Sequence, residues 1–171
     1  MTGIEATEVV GQQAGAQARE ILTGIVQRMG ITADIEAVED EERIRLEIKC
    51  ATPEVTELVV GRRGQVLDAL QHLVGKMLFR GRALGEDGAP SKPIVVDAGG
   101  YRERHAERLR GIALRMADKV LETKRPVAMD PMSPHDRRIM HMALADKPGV
   151  TTRSEGEGEE RHMLIVPTAV D

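Results

Sequence analysis

Aromatic side chains are nearly missing. Phe79 and Tyr101 are the only two in 171 residues, and there is no tryptophan. Nucleic-acid folds that stack bases on a row of exposed rings, the RRM and the OB-fold, are therefore poor matches. A core must be built from Leu, Ile, Val, Met and Ala. Cys50 is the single cysteine, which excludes an intrachain disulfide and any multi-thiolate zinc site. No apolar run approaches the ~18 residues of a membrane span. Residues 1–13 carry Glu5 and Glu8 but no basic residue, so no signal peptide is expected. These absences make a reducing cytoplasm the expected location.

Positive charge is scarce overall, with 24 Lys and Arg against 28 Asp and Glu, but it is unevenly placed. Residues 1–60 hold five basic side chains against twelve acids, a net −7. Residues 61–82 hold Arg62, Arg63, Lys76, Arg80 and Arg82 against Asp68 alone, and residues 100–125 hold eight against four; each tract nets +4. A polyanion responds to local potential, so two basic tracts in an acidic chain point to a nucleic-acid partner.

The apolar pattern alternates between two periods. Ala14, Ala18, Ile21, Leu22, Ile25, Val26 and Met29 fall at helical spacing, with Gly30 as the stop. Ile31, Ala33, Ile35 and Ala37, then Ile44, Leu46 and Ile48, alternate with polar residues around the acidic turn Glu39–Glu42, which reads as an antiparallel hairpin. Thr52-Pro53-Glu54 has the cap, proline and acid of a helix start. That helix stops at Gly61. A second follows Gly64, with Val66, Leu67, Leu70, Leu73, Val74, Met77 and Leu78 expected on one stripe. Residues 81–93 read as loop, and Ile94–Val96 as a strand.

Gly99-Gly100 marks a domain boundary. Beyond it a long helix is expected to bury Leu109, Ile112, Ala113, Met116, Val120 and Leu121, before a short strand at Val127–Met129. Ser133-Pro134-His135-Asp136 repeats the helix-start signature. Two strands, 150–153 and 162–166, then flank a Gly/Glu loop at 154–160. The fold class is α+β in two small domains.

Two spacings carry chemistry. In Gly61-Arg62-Arg63-Gly64 the glycines let the chain turn sharply and remove side chains that would hold a ligand's backbone away. The following helix points free amides and its positive end at the same place. As a bare spacing this is also a tight inter-helix turn with solvated arginines; the order α-β-β-α-α-β around it is what gives it weight. Arg137 and His141 stand four apart, on one face of the helix opened by Ser133.

With these residues in that order, residues 11–97 resemble a KH domain of type II. Residues 98–167, with the Arg-x-x-x-His of 137–141 and Ser154-Glu155-Gly156 after it, resemble an R-three-H domain of helices on a small three-stranded sheet. Residues 1–10 are expected to be a flexible N-terminus and 168–171 a tail. The tandem resembles the bacterial Jag family, also called KhpB, in Val60–Gln65, Leu67–Gln71, Arg137–His141 and Thr152–Glu157. Many members carry a further N-terminal domain, which is not expected within these residues, so what it contributes is not carried over. Two arginines stand in the loop where lysine is common.

The resemblance implies a cytoplasmic binder of single-stranded RNA, with single-stranded DNA as an alternative ligand. The strand would lie at Gly61, Arg62, Arg63 and Gly64, against a wall of Leu58, Val59, Val60 and Val66, with Arg137 and His141 as a second contact. Lys76, Arg80 and Arg82 are candidate flanking contacts. It further implies a post-transcriptional regulator or RNA chaperone tied to cell elongation and division, a small single-KH partner protein and a link to the membrane-protein insertase. Two alternatives stay open, a protein–protein adaptor and a ribosome-associated factor. No catalytic constellation, metal site or cofactor motif is expected: there is no Walker lysine motif, and the histidines lack metal-ligand spacing.

Overall fold

The computed structural model describes residues 4–78 and 92–168, with side chains from residue 14 onward. The chain divides into two compact units after Arg102.

The first unit runs α1 (Ile4–Arg28), β1 (Ala33–Glu39), β2 (Ile44–Cys50), α2 (Pro53–Val60), α3 (Gln65–Leu78) and β3 (Ile94–Ala98). β2 is the central strand, antiparallel to β1 and parallel to β3. A parallel neighbour requires a crossover, and α2 with α3 provides it. Ile35, Ile44, Leu46, Ile48 and Val96 bury the sheet face against Leu22 and Val26 of α1 and Leu67, Leu70 and Val74 of α3. Asp40 closes the hairpin by accepting the amides of Glu42 and Arg43 at 2.9 and 2.8 Å. Those backbone hydrogen bonds, Arg43's first, hold its carboxyl below the ordinary value.

Helix starts follow the local chemistry. Thr52 accepts the Val55 amide at 3.5 Å ahead of Pro53, and Ser133 accepts that of Asp136 at 3.1 Å ahead of Pro134. α1 begins at Ile4, ten residues before the apolar spacing does. The expected stripes are wider than the buried faces. Leu73 and Met77 are 46% and 52% exposed, and Met29 is 44% exposed. In α3 the i, i+3, i+7 line of Leu67, Leu70 and Val74 takes the core, and Leu73 and Met77 lie one step round the helix.

α4 (Tyr101–Thr123) has its first two residues in the first unit; the rest opens the second. There, β4 (Val127–Ala128), α5 (Pro134–Leu144), β5 (Val150–Glu155) and β6 (His162–Pro167) follow. The sheet order is β4-β6-β5, all antiparallel. Ala113, Ala117 and Val120 of α4 pack with Met140 and Leu144 of α5 and with Val150, Met163 and Ile165 of the sheet. β5 extends two residues into the stretch expected as loop, because Ser154 and Glu155 continue the ladder with Met163 and His162.

Candidate nucleic-acid interface

The Gly61–Gly64 turn joins α2 to α3 through a single 3-10 turn at Arg62–Gly64. Gly61 has φ 69° and Gly64 φ 81°, both in the left-handed region where a Cβ is disfavoured. Each also faces a neighbour that leaves no space for a side chain. A Cβ on Gly61 would collide with Val66 Cγ2, and one on Gly64 would stand 2.8 Å from Tyr101 Cε1. Arg63 is left-handed as well, at φ 54°. A non-glycine residue held there is a local cost of the kind found at functional turns. Arg62 and Arg63 are exposed, while Gly64 is buried. Two exposed cations thus stand side by side at the start of the 14-residue α3.

Of the expected wall residues, Val59 and Val60 are buried in the core, at 0% and 7% exposure. They support the turn from beneath. Leu58 is open to solvent and Val66 is half-buried against Gly61. Lys76 is exposed in the last turn of α3. Arg80 and Arg82 lie outside the described residues.

Sequence reasoning missed what holds the turn from the far side. Tyr101 lies against Gly64, and Arg102 is fixed by three acceptors. Its Nε donates to the Val96 carbonyl at 2.7 Å, and Nη2 to Asp68 at 3.0 Å and Gln71 at 3.1 Å. Two carboxylates secure the same junction. Asp97 Oδ1 accepts the amides of Ala98 and Arg102, and Glu47 Oε1 accepts that of Gly99 at 2.7 Å. Glu47 and Asp97 are register partners on β2 and β3. Desolvation, with Asp97's charge adding to it, raises the Glu47 pKa even against the amides of Gly99 and Gly100. Only the double glycine and the acid at 97 hinted at this joint.

In the second unit Arg137 and His141 line one cleft of about 670 Å³ with His135 and Arg138 of α5 and Thr152, Arg153 and Ser154 of β5. Arg137 is partly committed. Its Nη1 donates to the carbonyls of Met132 at 2.7 Å and Arg161 at 3.3 Å. His141 Nδ1 shares a 2.6 Å hydrogen bond with Thr152 Oγ1. Just ahead of Arg137, the buried Asp136 meets His105 Nε2 of α4 at 3.1 Å, which ties the motif helix to α4. Of the β5 lining residues, Thr152 and Arg153 fall in the strand expected at 150–153, whereas Ser154 was expected in the loop. Among the described residues, no three His, Cys, Asp or Glu side chains gather as a metal site. No described helix is long and apolar enough to cross a membrane.

A glycine-flanked, two-arginine turn on an α-β-β-α-α-β unit, followed by an Arg-x-x-x-His cleft, defines a tandem of KH and R-three-H domains. The comparisons agree. Residues 16–83 match the family model described as KhpA/KhpB, KH domain, and residues 107–167 match the model of the R-three-H domain. The chain is 34% identical over 151 residues to the RNA-binding protein KhpB of Bacillus subtilis, covering 87% of this chain and 68% of that protein. It is 34% identical over 149 residues to that of Clostridium symbiosum, covering 87% and 64%, and 28% identical over 162 residues to that of Lactiplantibacillus plantarum, covering 95% and 48%. The chain belongs to the KhpB family, and it spans between about half and two thirds of the length of these three relatives.

Proposed function

We propose that this protein binds single-stranded RNA in the cytoplasm as a post-transcriptional regulator or RNA chaperone, without a catalytic step of its own. The observation that carries this reading is the Gly61–Gly64 turn, whose two exposed arginines stand side by side at its tip, at the start of α3. The sugar-phosphate strand would follow the turn, with Arg62 and Arg63 on phosphates and Leu58 and Val66 beside the bases. Lys76 lies on the flank. The Arg137–His141 cleft would supply a second contact. Two modest sites on one chain gain from effective concentration, so neither must be strongly basic.

The test is an Arg62→Asp/Arg63→Asp variant titrated with a mixed-sequence RNA pool. The expected result is loss of binding with melting unchanged within a few degrees. Parent-like binding would overturn the reading.

A second reading, the protein–protein adaptor, is favoured by Leu73 and Met77, two large apolar side chains left exposed four residues apart on α3. The small single-KH partner, the insertase link and the tie to cell elongation belong here. Pull-downs with and without nuclease separate the readings, because RNA-bridged partners are lost and direct ones persist.

A further inference from the structure

Neither the turn nor the cleft accounts for the second basic tract. Arg104, Arg108, Arg115 and Lys119 stand at i, i+4, i+11 and i+15 of α4, with Gly111 at i+7. These positions share one face of a helix and run about 22 Å at 1.5 Å per residue. All four cations are exposed. Among the described residues, none of Arg108, Arg115 and Lys119 is within ion-pair distance of a carboxylate. Glu103 lies round the helix from the stripe; Glu107 and Asp118 border it, three residues on from Arg104 and Arg115, and Asp118 is engaged by Lys147 at 2.8 Å. Glu122 ends the line.

A solvated helix face built for stability alternates its charges at i, i+4, because opposite pairs attract there and like pairs repel. This face does the reverse in Arg115/Lys119, beside which Asp118 is already taken by Lys147. One turn ahead of that pair it places a glycine, the weakest helix former after proline. Arg115 Nη1 lies 3.4 Å from where a Cβ on Gly111 would be, so the guanidinium rests over the gap. Repulsion and a mid-helix glycine on the same line are local costs, and costs gathered at one surface mark a function that uses it. A polyanion relieves the repulsion.

We infer that this stripe is a phosphate track for single-stranded RNA, read without regard to base and separate from the turn and the cleft. The inference rests on the RNA-binding reading and extends it to a third surface. The stripe starts beside the motif helix. His105, next to Arg104 in sequence, is the residue that bonds Asp136, and Asp136 precedes Arg137.

The test compares the full-length parent with Arg108→Glu/Arg115→Glu/Lys119→Glu and with the same three positions changed to Gln. Each is titrated against a mixed-sequence single-stranded RNA pool of about 20 nucleotides, longer than one small module covers, over a series of salt concentrations. Circular dichroism checks the helix. The slope of log affinity against log salt should fall by about two units in both variants, at about 0.7 per phosphate contact on a single strand. An unchanged slope, or a loss confined to the Glu variant and so due to added repulsion, overturns the track. The Arg62→Asp/Arg63→Asp variant run alongside separates the two readings. If it loses binding while the stripe variants match the parent, the track falls and the RNA-binding reading stands. If the parent itself does not bind the pool, both fall.

Discussion

Tyr101 closes the space over Gly64: its Cε1 lies 2.8 Å from where a Cβ on that glycine would be built. The single tyrosine of the chain therefore dictates a bare residue at the end of the arginine turn. Gly64→Ala should be penalised twice, by the left-handed φ of 81° and by the ring. The expected cost is about 2 kcal/mol, of which roughly 1 is backbone. Tyr101→Ala has its own cost in lost packing. In the double variant the ring's share of the Gly64→Ala penalty should vanish, a non-additivity that chemical denaturation of the four proteins measures.

Glu47 makes the first unit's stability depend on pH in a specific direction. Its folded pKa is raised above the ordinary 4.5, mainly by desolvation. The folded protein thus holds this proton more tightly than the unfolded chain does. The stabilisation is fully present below the unfolded value and is lost as pH rises through the folded one. Glu47→Gln keeps an acceptor for the Gly99 amide and removes the titration. The stability of Glu47→Gln relative to the parent should rise as pH is raised from below the ordinary carboxylate value to above it. Urea melts at several pH values check it, and a flat or falling difference would count against the raised pKa.

The two capped helices should respond unequally to losing their hydroxyls. Ser133 accepts the Asp136 amide at 3.1 Å, whereas Thr52 accepts that of Val55 at 3.5 Å, the edge of hydrogen-bond range. Ser133→Ala is expected to cost about 1 kcal/mol and Thr52→Ala no more than about half that. Native-state hydrogen exchange assigns each loss to its own unit, since Ser133 and Thr52 belong to different ones.

Both caps could be read directly from the chain, because a cap, a proline and an acid act on their own backbone neighbours. So could the hairpin: Ile44, Leu46 and Ile48 are buried at 0–1% exposure, as strict alternation requires. What resisted reading depends on partners distant in sequence. Ser154 and Glu155 are polar and gave no strand signal, yet β6 pairs with them. Leu73 and Met77 share the composition of a core stripe, and only the placement of α3 against the sheet decides that they stay outside. The turn at 61–64 showed as a motif, but the ring over Gly64 comes from 37 residues further on and has no local signature.

The arginines of the two proposed contacts should differ in kind. Arg62 and Arg63 are exposed at the tip of their turn, and Arg63 is left-handed at φ 54°, a conformation that Asp tolerates better than Arg. Their replacement by Asp should change binding and leave the fold intact. Arg137 is half-buried, and its Nη1 bridges the carbonyls of Met132 and Arg161, so it also joins the start of α5 to the start of β6. Arg137→Ala leaves the Met132 carbonyl without this donor and the Arg161 carbonyl with the Met132 amide alone, a loss expected to cost the second unit about 1–3 kcal/mol. Arg137→Lys keeps the charge but not the fork, and should recover only part of it. Hydrogen exchange should therefore show α5 and β6 opening more readily in both Arg137 variants, while the Arg62→Asp/Arg63→Asp protein exchanges like the parent. Unchanged exchange in Arg137→Ala would mean that its hydrogen bonds do not hold the second unit together.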